Sequence, residues 1–249
     1  MRITGLQMDI EWSSPRDNIK AVEHMLSTSP KSDLYILPEM WSTGFAIDPR
    51  GIAESDGSTL QWMRDTSQSL GAALCGSLSI LESDTYRNRH YFVFPDGTYS
   101  WYDKRHLFRP GHEDRYYTQG SKRTVVEWCD MRLMLQTCYD LRFPVWSRYR
   151  GDYDALIYVA NWPSSRIEVW DTLLRARAIE NQCYVIGVNR VGRDPYSSYG
   201  GHSAIISPKG EVLAKSENNI SDIINEEIDK DVLVRFREKF RVLDDRDQI

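Results

Sequence analysis

The chain lacks most of what would mark a secreted, membrane or nucleic-acid-binding protein. Only four of its 249 residues are cysteines: Cys75, Cys129, Cys138 and Cys183. No two form a Cys-x-x-Cys pair, and none stands at zinc-finger spacing from a histidine, so no metal site is expected. Four scattered thiols read by default as buried and reduced, which fits a reducing compartment. No apolar run approaches the roughly 20 residues that span a bilayer, so no membrane partner is expected. The first residues carry one arginine and no continuous apolar stretch, so they do not read as a secretory signal. The expected location is the cytoplasm. Basic runs are also absent. With 31 Lys and Arg against 36 Asp and Glu, the net charge is −5, and nucleic acid is not an expected partner.

What is present is ordinary for a soluble globular chain, at 41% hydrophobic and 27% charged residues. The length suits one α/β domain over residues 1–249 or a layered α/β sandwich. Eight Trp and fourteen Tyr point to a large core with room for a buried subunit interface.

Strand and helix signals alternate along the chain. Residues 2–8 read as a strand. A helix then opens at Ser14-Pro15-Arg16-Asp17, with Ser14 as cap, Pro15 in the first helical position and Asp17 at the positive end. Ile19, Val22 and Leu26 mark its apolar face. Residues 33–37 form a short apolar strand stopped by Pro38. A helix over 58–70 ends at Gly71, and a strand follows over 72–80. Residues 89–94 and 98–103 flank the turn Pro95-Asp96-Gly97 and read as a hairpin. Strands are expected at 123–128 and 132–137, with Cys129-Asp130 as their turn. Further strands lie at 154–160, 183–189, 203–207, 211–215 and 220–228. A long helix over 165–181 places Val169, Leu173, Ala176 and Ile179 at helical spacing, and another helix covers 231–240. Residues 243–249 read as a polar tail or an arm. The order divides into two similar halves, as in two sheets covered by helices.

Glu39, Lys104 and Cys138 each end a predicted strand, where α/β folds gather their ligand-binding groups. In Thr137-Cys138-Tyr139-Asp140-Leu141-Arg142-Phe143-Pro144 a strand runs into a sharp turn and then a helix. A thiol there faces a helix N-terminus that favours thiolate, and a nearby ammonium favours it further. The backbone N–H of Tyr139 is placed to meet an oxyanion. Glu39, between Pro38 and Met40-Trp41, reads as a desolvated carboxylate suited to general-base work. Each residue has a plainer reading: Cys138 as a core cysteine, Glu39 as a capping or surface carboxylate, Lys104 as one solvated charge in a basic cluster.

Together the three segments resemble the nitrilase superfamily of carbon–nitrogen hydrolases, which is marked by a Glu-Lys-Cys triad. Leu37-Pro38-Glu39-Met40 matches the glutamate motif, and Asp103-Lys104-Arg105-His106-Leu107-Phe108 the lysine motif. The segment around Cys138 matches the cysteine motif. Asn161-Trp162-Pro163 and residues 174–182 extend the likeness over nearly the whole chain. The resemblance implies a four-layer α-β-β-α sandwich that pairs through helices into a homodimer or higher homo-oligomer. It implies a second glutamate, matched by Glu113 in Gly111-His112-Glu113-Asp114, that orients the lysine and lines the pocket. It requires no cofactor. Within the superfamily the chain looks most like the ω-amidase branch, which acts on 2-oxoglutaramate and similar α-keto acid ω-amides. Gln136-Thr137 departs from relatives that carry a glycine before the residue preceding the cysteine.

The chemistry implied is nucleophilic: Cys138 attacks the amide carbon, Glu39 shuttles the proton, and Lys104 with the Tyr139 N–H holds the oxyanion. A substrate carboxylate needs a cationic partner. Arg142, Arg109 and the Asn161-Trp162 turn are candidates, with Trp162 held as a tentative substrate contact. The favoured reading of Arg142 is an ion pair with Asp140. Rival readings are an amidase for deaminated glutathione or an N-carbamoyl compound, a scaffold without activity, and a redox protein pairing Cys129 with Cys138.

Overall fold

The computed structural model describes residues 1–247; the last two residues of the expected tail lie outside them. The first half of the chain gives β1 (Arg2–Gln7), α1 (Pro15–Thr28), β2 (Leu34–Ile36), α2 (Ser58–Leu70), β3 (Ala73–Glu82), β4 (Thr85–Val93) and β5 (Tyr99–Asp103). The second gives β6 (Val125–Trp128), β7 (Met131–Thr137), α3 (Pro144–Ser147), β8 (Ala155–Ala160), α4 (Ile167–Asn181) and β9 (Tyr184–Asn189). There follow β10 (Val191–Arg193), β11 (Ser198–Gly200), β12 (Ala204–Ile206), β13 (Val212–Lys215), β14 (Asp222–Glu227) and α5 (Lys230–Lys239). One six-stranded sheet has the order β14-β1-β2-β3-β4-β5 and the other β13-β12-β9-β8-β7-β6.

The alternation of side chains along each strand builds the layers. Ile3, Leu34, Ile36 and Cys75 of the first sheet face Leu133, Leu135, Ile157 and Val159 of the second in one inter-sheet core. The intervening residues, Leu6, Tyr35 and Leu74, pack outward against Val22, Met25 and Leu26 of α1 and Met63 of α2. On the other sheet Met134, Leu156 and Tyr158 meet Trp170, Leu174 and Ala178 of α4. The result is the α-β-β-α sandwich the resemblance implied.

In each sheet the three central strands run parallel, β1-β2-β3 and β7-β8-β9, and the flanking pairs are antiparallel. β5 lies two antiparallel pairings from β3, so it points the same way as β2. Residues just beyond β2 and β5 therefore emerge at one edge of the first sheet, and residues just beyond β7 and β8 at one edge of the second.

Several expectations need correction. Ser14 takes the N-cap position of α1, but its hydroxyl bonds no helix N–H and donates instead to Asp17 Oδ2 at 2.7 Å. Gly71 does end α2, with φ 62. The buried stripe of α4 is Trp170, Leu174, Arg177, Ala178 and Asn181, one residue round from the predicted face. The indole of Trp170 brings the largest apolar surface to the sheet, and Ile179 is left 51% exposed. After Cys138 a 3-10 turn (Cys138–Arg142) replaces the expected helix, and α3 is a single turn. Pro144 explains the break, since it restricts Phe143 and brings no N–H. The terminal segment is not simply a tail: Val242–Asp245 form a 3-10 turn that buries Leu243. Strand β4 starts four residues earlier than predicted, and the β10-β11 ribbon was not foreseen. Cys129 and Cys138 sit at opposite ends of β7, about 20 Å apart at strand rise, so they cannot form a disulfide. Among the described residues no helix is long and apolar enough to cross a membrane.

Candidate active site

Glu39 leaves β2 through a tight turn. Pro38 ends the strand, Met40 takes a left-handed φ of 43°, and the Met40 N–H donates to Ser77 Oγ at 2.9 Å. The carboxylate is wholly buried, as its apolar neighbours predicted. Its Oε1 accepts from Lys104 Nζ at 2.8 Å and from Asn88 Nδ2 at 2.7 Å, and its Oε2 accepts from the Asn161 N–H at 2.9 Å. Three donors thus fix both oxygens.

Lys104 is held through its backbone. Its N–H donates to the Asn88 carbonyl and its own carbonyl accepts from the Gly120 N–H, both at 2.9 Å. A Cβ at Gly120 would fall 2.0 Å from the Asp103 carbonyl oxygen, so only glycine permits this approach. The ammonium lies between two carboxylates, with Glu113 Oε2 at 2.9 Å opposite Glu39. Glu113 Oε2 also accepts from the Phe108 N–H at 2.5 Å. Glu113 is buried, and like Glu39 it stands behind Lys104 rather than among the side chains that line the cavity.

Cys138 follows β7 with φ 45°, a left-handed conformation that costs a non-glycine residue about 1–2 kcal/mol. Asp140 anchors this turn. Its Oδ2 accepts from Tyr102 OH at 2.8 Å and from the Thr137 N–H at 3.0 Å. Its Oδ1 accepts from the His106 N–H at 3.0 Å and bonds His106 Nδ1 at 2.7 Å. The lysine and cysteine segments are thereby tied together. The Tyr139 N–H, second in the 3-10 turn, has no earlier carbonyl of that turn to donate to.

The charges act on one another. Burial alone would favour a neutral Lys104 amine, but Glu113 and Glu39 hold the ammonium well above the ordinary lysine range. Burial raises the Glu113 carboxyl, with Lys104 opposing and Glu39 adding to the rise. Burial also pushes the Cys138 thiol well up, and the Glu39 charge pushes it further against the pull of Lys104. Burial and the Glu39 charge thus favour the neutral thiol, against the thiolate expected from a helix end. Burial is the first reason and the Glu39 charge the second.

Lys104 and Cys138 open onto a cavity of about 590 Å³, counting its mouth, with Tyr139 and Asn161 beside them. Trp162 also lines it, with its indole N–H donating to the Arg166 carbonyl at 2.8 Å. Arg142 is on this cavity and makes no ion pair among the described residues; Asp140 is fully used elsewhere. Arg109 is exposed, lies off the cavity, and approaches Asp114 at 3.8 Å. Sequence reasoning missed Asn88, Asp140 as an anchor, and the cavity-lining Arg166, Asp194 and Tyr199. Asn88 sits in a polar run that carried no sign of burial. Among the described residues no group of three or more His, Cys, Asp or Glu could hold a metal ion.

Comparison with known proteins agrees with this geometry. The carbon-nitrogen hydrolase family profile matches residues 2–238. The omega-amidase YafV of Yersinia enterocolitica is 41% identical over 249 residues, covering 100% of this chain and 97% of its own. The 2-oxoglutaramate amidase of Bacillus subtilis is 35% identical, covering 98% and 96%. Among solved structures, XC1258 of Xanthomonas campestris superposes with a TM-score of 0.96 at 39% identity, covering 100% and 98%. That structure is of a CN-hydrolase superfamily protein with an arsenic adduct in its active site. With the profile spanning nearly every residue and two full-length relatives above one-third identity, the chain belongs to the carbon-nitrogen hydrolase family.

Proposed function

We propose that this protein is an ω-amidase that hydrolyses the terminal amide of 2-oxoglutaramate or a similar α-keto acid ω-amide through a thioester on Cys138. The observation that carries the reading is one ammonium, Lys104, clamped by two buried carboxylates on a cavity it shares with a cysteine thiol. The full-length likeness to an omega-amidase and a 2-oxoglutaramate amidase supports the substrate.

Because the resting thiol is neutral, proton loss accompanies attack. Glu39 takes the thiol proton as Cys138 Sγ bonds to the amide carbon. The carbonyl oxygen becomes an oxyanion held by the Lys104 ammonium and the Tyr139 N–H. The C–N bond then breaks, Glu39 returns the proton to nitrogen, and ammonia leaves an acyl-thioester. Water, deprotonated by Glu39, attacks the thioester; the thiol is regenerated and the acid is released. Glu113 holds Lys104 in place without touching substrate. Asn161 gives its Nδ2 to the Glu39 carbonyl at 2.5 Å, while its buried Oδ1 has no partner among the described residues. It is free to accept an N–H of the substrate amide.

Residues 1–249 act as one cytoplasmic domain in this reading. Three buried free thiols support a reducing compartment. A homodimer belongs to this reading through the likeness to the family. Light scattering would measure the mass in solution.

The test is ammonia release from 2-oxoglutaramate and a panel of small amides by wild type and Cys138→Ala. Release by wild type and its loss in the variant are expected. Release only from other amides would keep the mechanism and discard the ω-amidase assignment. Silence on every amide would overturn both.

A further inference from the structure

No step of the reaction uses Asn88 of β4, yet its side chain touches both buried carboxylates. Nδ2 donates to Glu39 Oε1 at 2.7 Å and to Glu113 Oε1 at 3.2 Å. Lys104 Nζ donates to the same two oxygens, at 2.8 and 3.1 Å. Two donors and two acceptors thus close a ring, in which the carboxylates are joined once through an ammonium and once through an amide. Asn88 is buried and is not among the residues that line the cavity, so it reaches no substrate. Its carbonyl accepts the Lys104 N–H at 2.9 Å, so one position on β4 holds the backbone of the ammonium and both of its counter-ions.

The orientation of this amide is specified. Its Oδ1 accepts from Ser77 Oγ at 2.9 Å, and that hydroxyl oxygen itself accepts from the Met40 N–H at 2.9 Å. The hydroxyl therefore gives its hydrogen to Asn88, and the NH2 group is the end that faces the carboxylates. A reversed amide would set an oxygen against two anions. Two carboxylates meet one ammonium here, so the ring carries one excess negative charge when both are ionised. Like charges in one site favour retention of a proton, and burial raises the Glu113 carboxyl in the same direction. An N–H donated to each carboxylate opposes this, because it favours the ionised form. The donors also separate the two oxygens of Glu39. Oε1 accepts from Lys104 and Asn88, whereas Oε2 accepts from the Asn161 N–H alone among the described residues. A carboxylate oxygen offers about two acceptor sites, so Oε2 is the one with a site left.

We propose that Asn88 is a positioning residue for proton transfer: its NH2 group keeps Glu39 and Glu113 ionised around one ammonium and leaves Glu39 Oε2 as the atom that takes the Cys138 thiol proton. The proton passes from Sγ to Oε2 as the sulfur–carbon bond forms, and Asn88 neither gives nor receives one. The other ionisable groups packed about the ring do not replace it. Lys104 is held as a cation by the two carboxylates. Burial pushes the Tyr117 hydroxyl up, so it keeps its proton. His90, two residues along β4, is held neutral by burial, pushed down to about 3. This inference rests on the amidase reading for the reaction, though not for the charge state of the carboxylates.

Asn88→Leu removes the amide and keeps its shape. Alkylation of Cys138 by iodoacetamide, followed by mass spectrometry across a range of pH, reads the carboxylate pair without any amide turnover. The acid limb of the alkylation rate, and that of kcat, should both move to higher pH by about one to two units, so that rates below the limb fall about 10- to 100-fold. KM for 2-oxoglutaramate should stay nearly constant, because Asn88 does not reach the cavity. Ser77→Ala, which frees the amide to turn, should move the limb the same way by less. Asn88→Ser, whose hydroxyl returns one donor, should recover part of the shift, and it decides the matter with Ser77→Ala if the leucine variant does not fold. A limb that stays in place in these variants, a loss equal at every pH, or a loss confined to KM would overturn the role, since Asn88 would then only fill space. The two readings fail separately. A wild type that hydrolyses no amide, with an alkylation limb that still moves, would sink the amidase and sustain Asn88. A working amidase with an unmoved limb would sink Asn88 alone.

Discussion

The floor and the mouth of the cavity both present basic side chains, but only the floor supplies their anions. At the floor Lys104 is 1% exposed in its side chain, and Glu39 and Glu113 are fully buried around it. At the mouth Arg142 and Arg166 are half-buried, wetter, and set over aromatic rings without a carboxylate. A buried charge without a partner is expensive, so the floor must be complete before any ligand arrives. A half-exposed guanidinium keeps part of its hydration and can wait. The machinery common to any amide is thus built permanently into the fold. Recognition of a particular amide is left open where water can stand in.

The strongest way to break this comparison is Lys104→Ala. It removes an oxyanion donor and leaves two buried carboxylates facing each other. Turnover should fall by about 10²–10³-fold, and denaturant unfolding should register a loss of about 3–5 kcal/mol. Arg142→Gln at the mouth should change stability by less than about 1 kcal/mol in the same experiment. Similar losses at both positions would erase the distinction.

Asp140→Asn tests the tie between the lysine and cysteine segments. An amide cannot accept from Tyr102, His106 and the Thr137 N–H together. One buried donor left without an acceptor costs about 1–3 kcal/mol, measurable by thermal unfolding, and turnover should drop as the Cys138 turn loosens. Unchanged stability would mean that the turn stands without Asp140.

Asp154 offers a smaller effect away from the cavity, where it joins Arg132 at 2.8 Å to Arg237 of α5 at 3.4 Å. Burial opposes ionisation there, but bonds from Arg132 hold the carboxyl below its usual 3.8. A carboxyl lowered on folding stabilises above the unfolded value, and that stability is lost as pH falls through the folded value. Asp154→Asn should cost about 1 kcal/mol at neutral pH, since Arg132 is partly solvated, and should flatten the acid limb of the stability profile. An identical acid limb in both proteins would remove Asp154 from it. Smallest of all is the expected ultraviolet thiolate signal of Cys138 at neutral pH, which should be nil against Cys138→Ala. A clear thiolate band would show that Lys104 outweighs burial and Glu39.

How much of this was legible beforehand varies residue by residue. The strand before Glu39 was readable because an apolar run meets Pro38, and the one before Asn161 because another meets Asn161-Trp162-Pro163. Arg142 was misread for a simple geometric reason. Residues two apart on a three-residue turn do not face each other, so Asp140 turns inward to Tyr102 and His106 while Arg142 turns to the cavity. The α4 stripe slipped by one residue because periodicity does not say which of two adjacent apolar faces carries the better-fitting surface. Asn88 was invisible because a buried amide in a polar run looks like an exposed one.

Sequence by itself determined the period-two strands, their stops, and the three motifs that end at the sheet edges, because these are local matters of apolar pattern and backbone restriction. Tertiary structure alone decided which carboxylate meets which cation. It also decided that burial and Glu39 together favour the protonated thiol, and that two arginines make no ion pair among the described residues. Burial and polar pairing depend on residues far apart in the chain, such as Glu39 and Asn161 at 122 positions, which only the stacked sheets bring within a hydrogen bond.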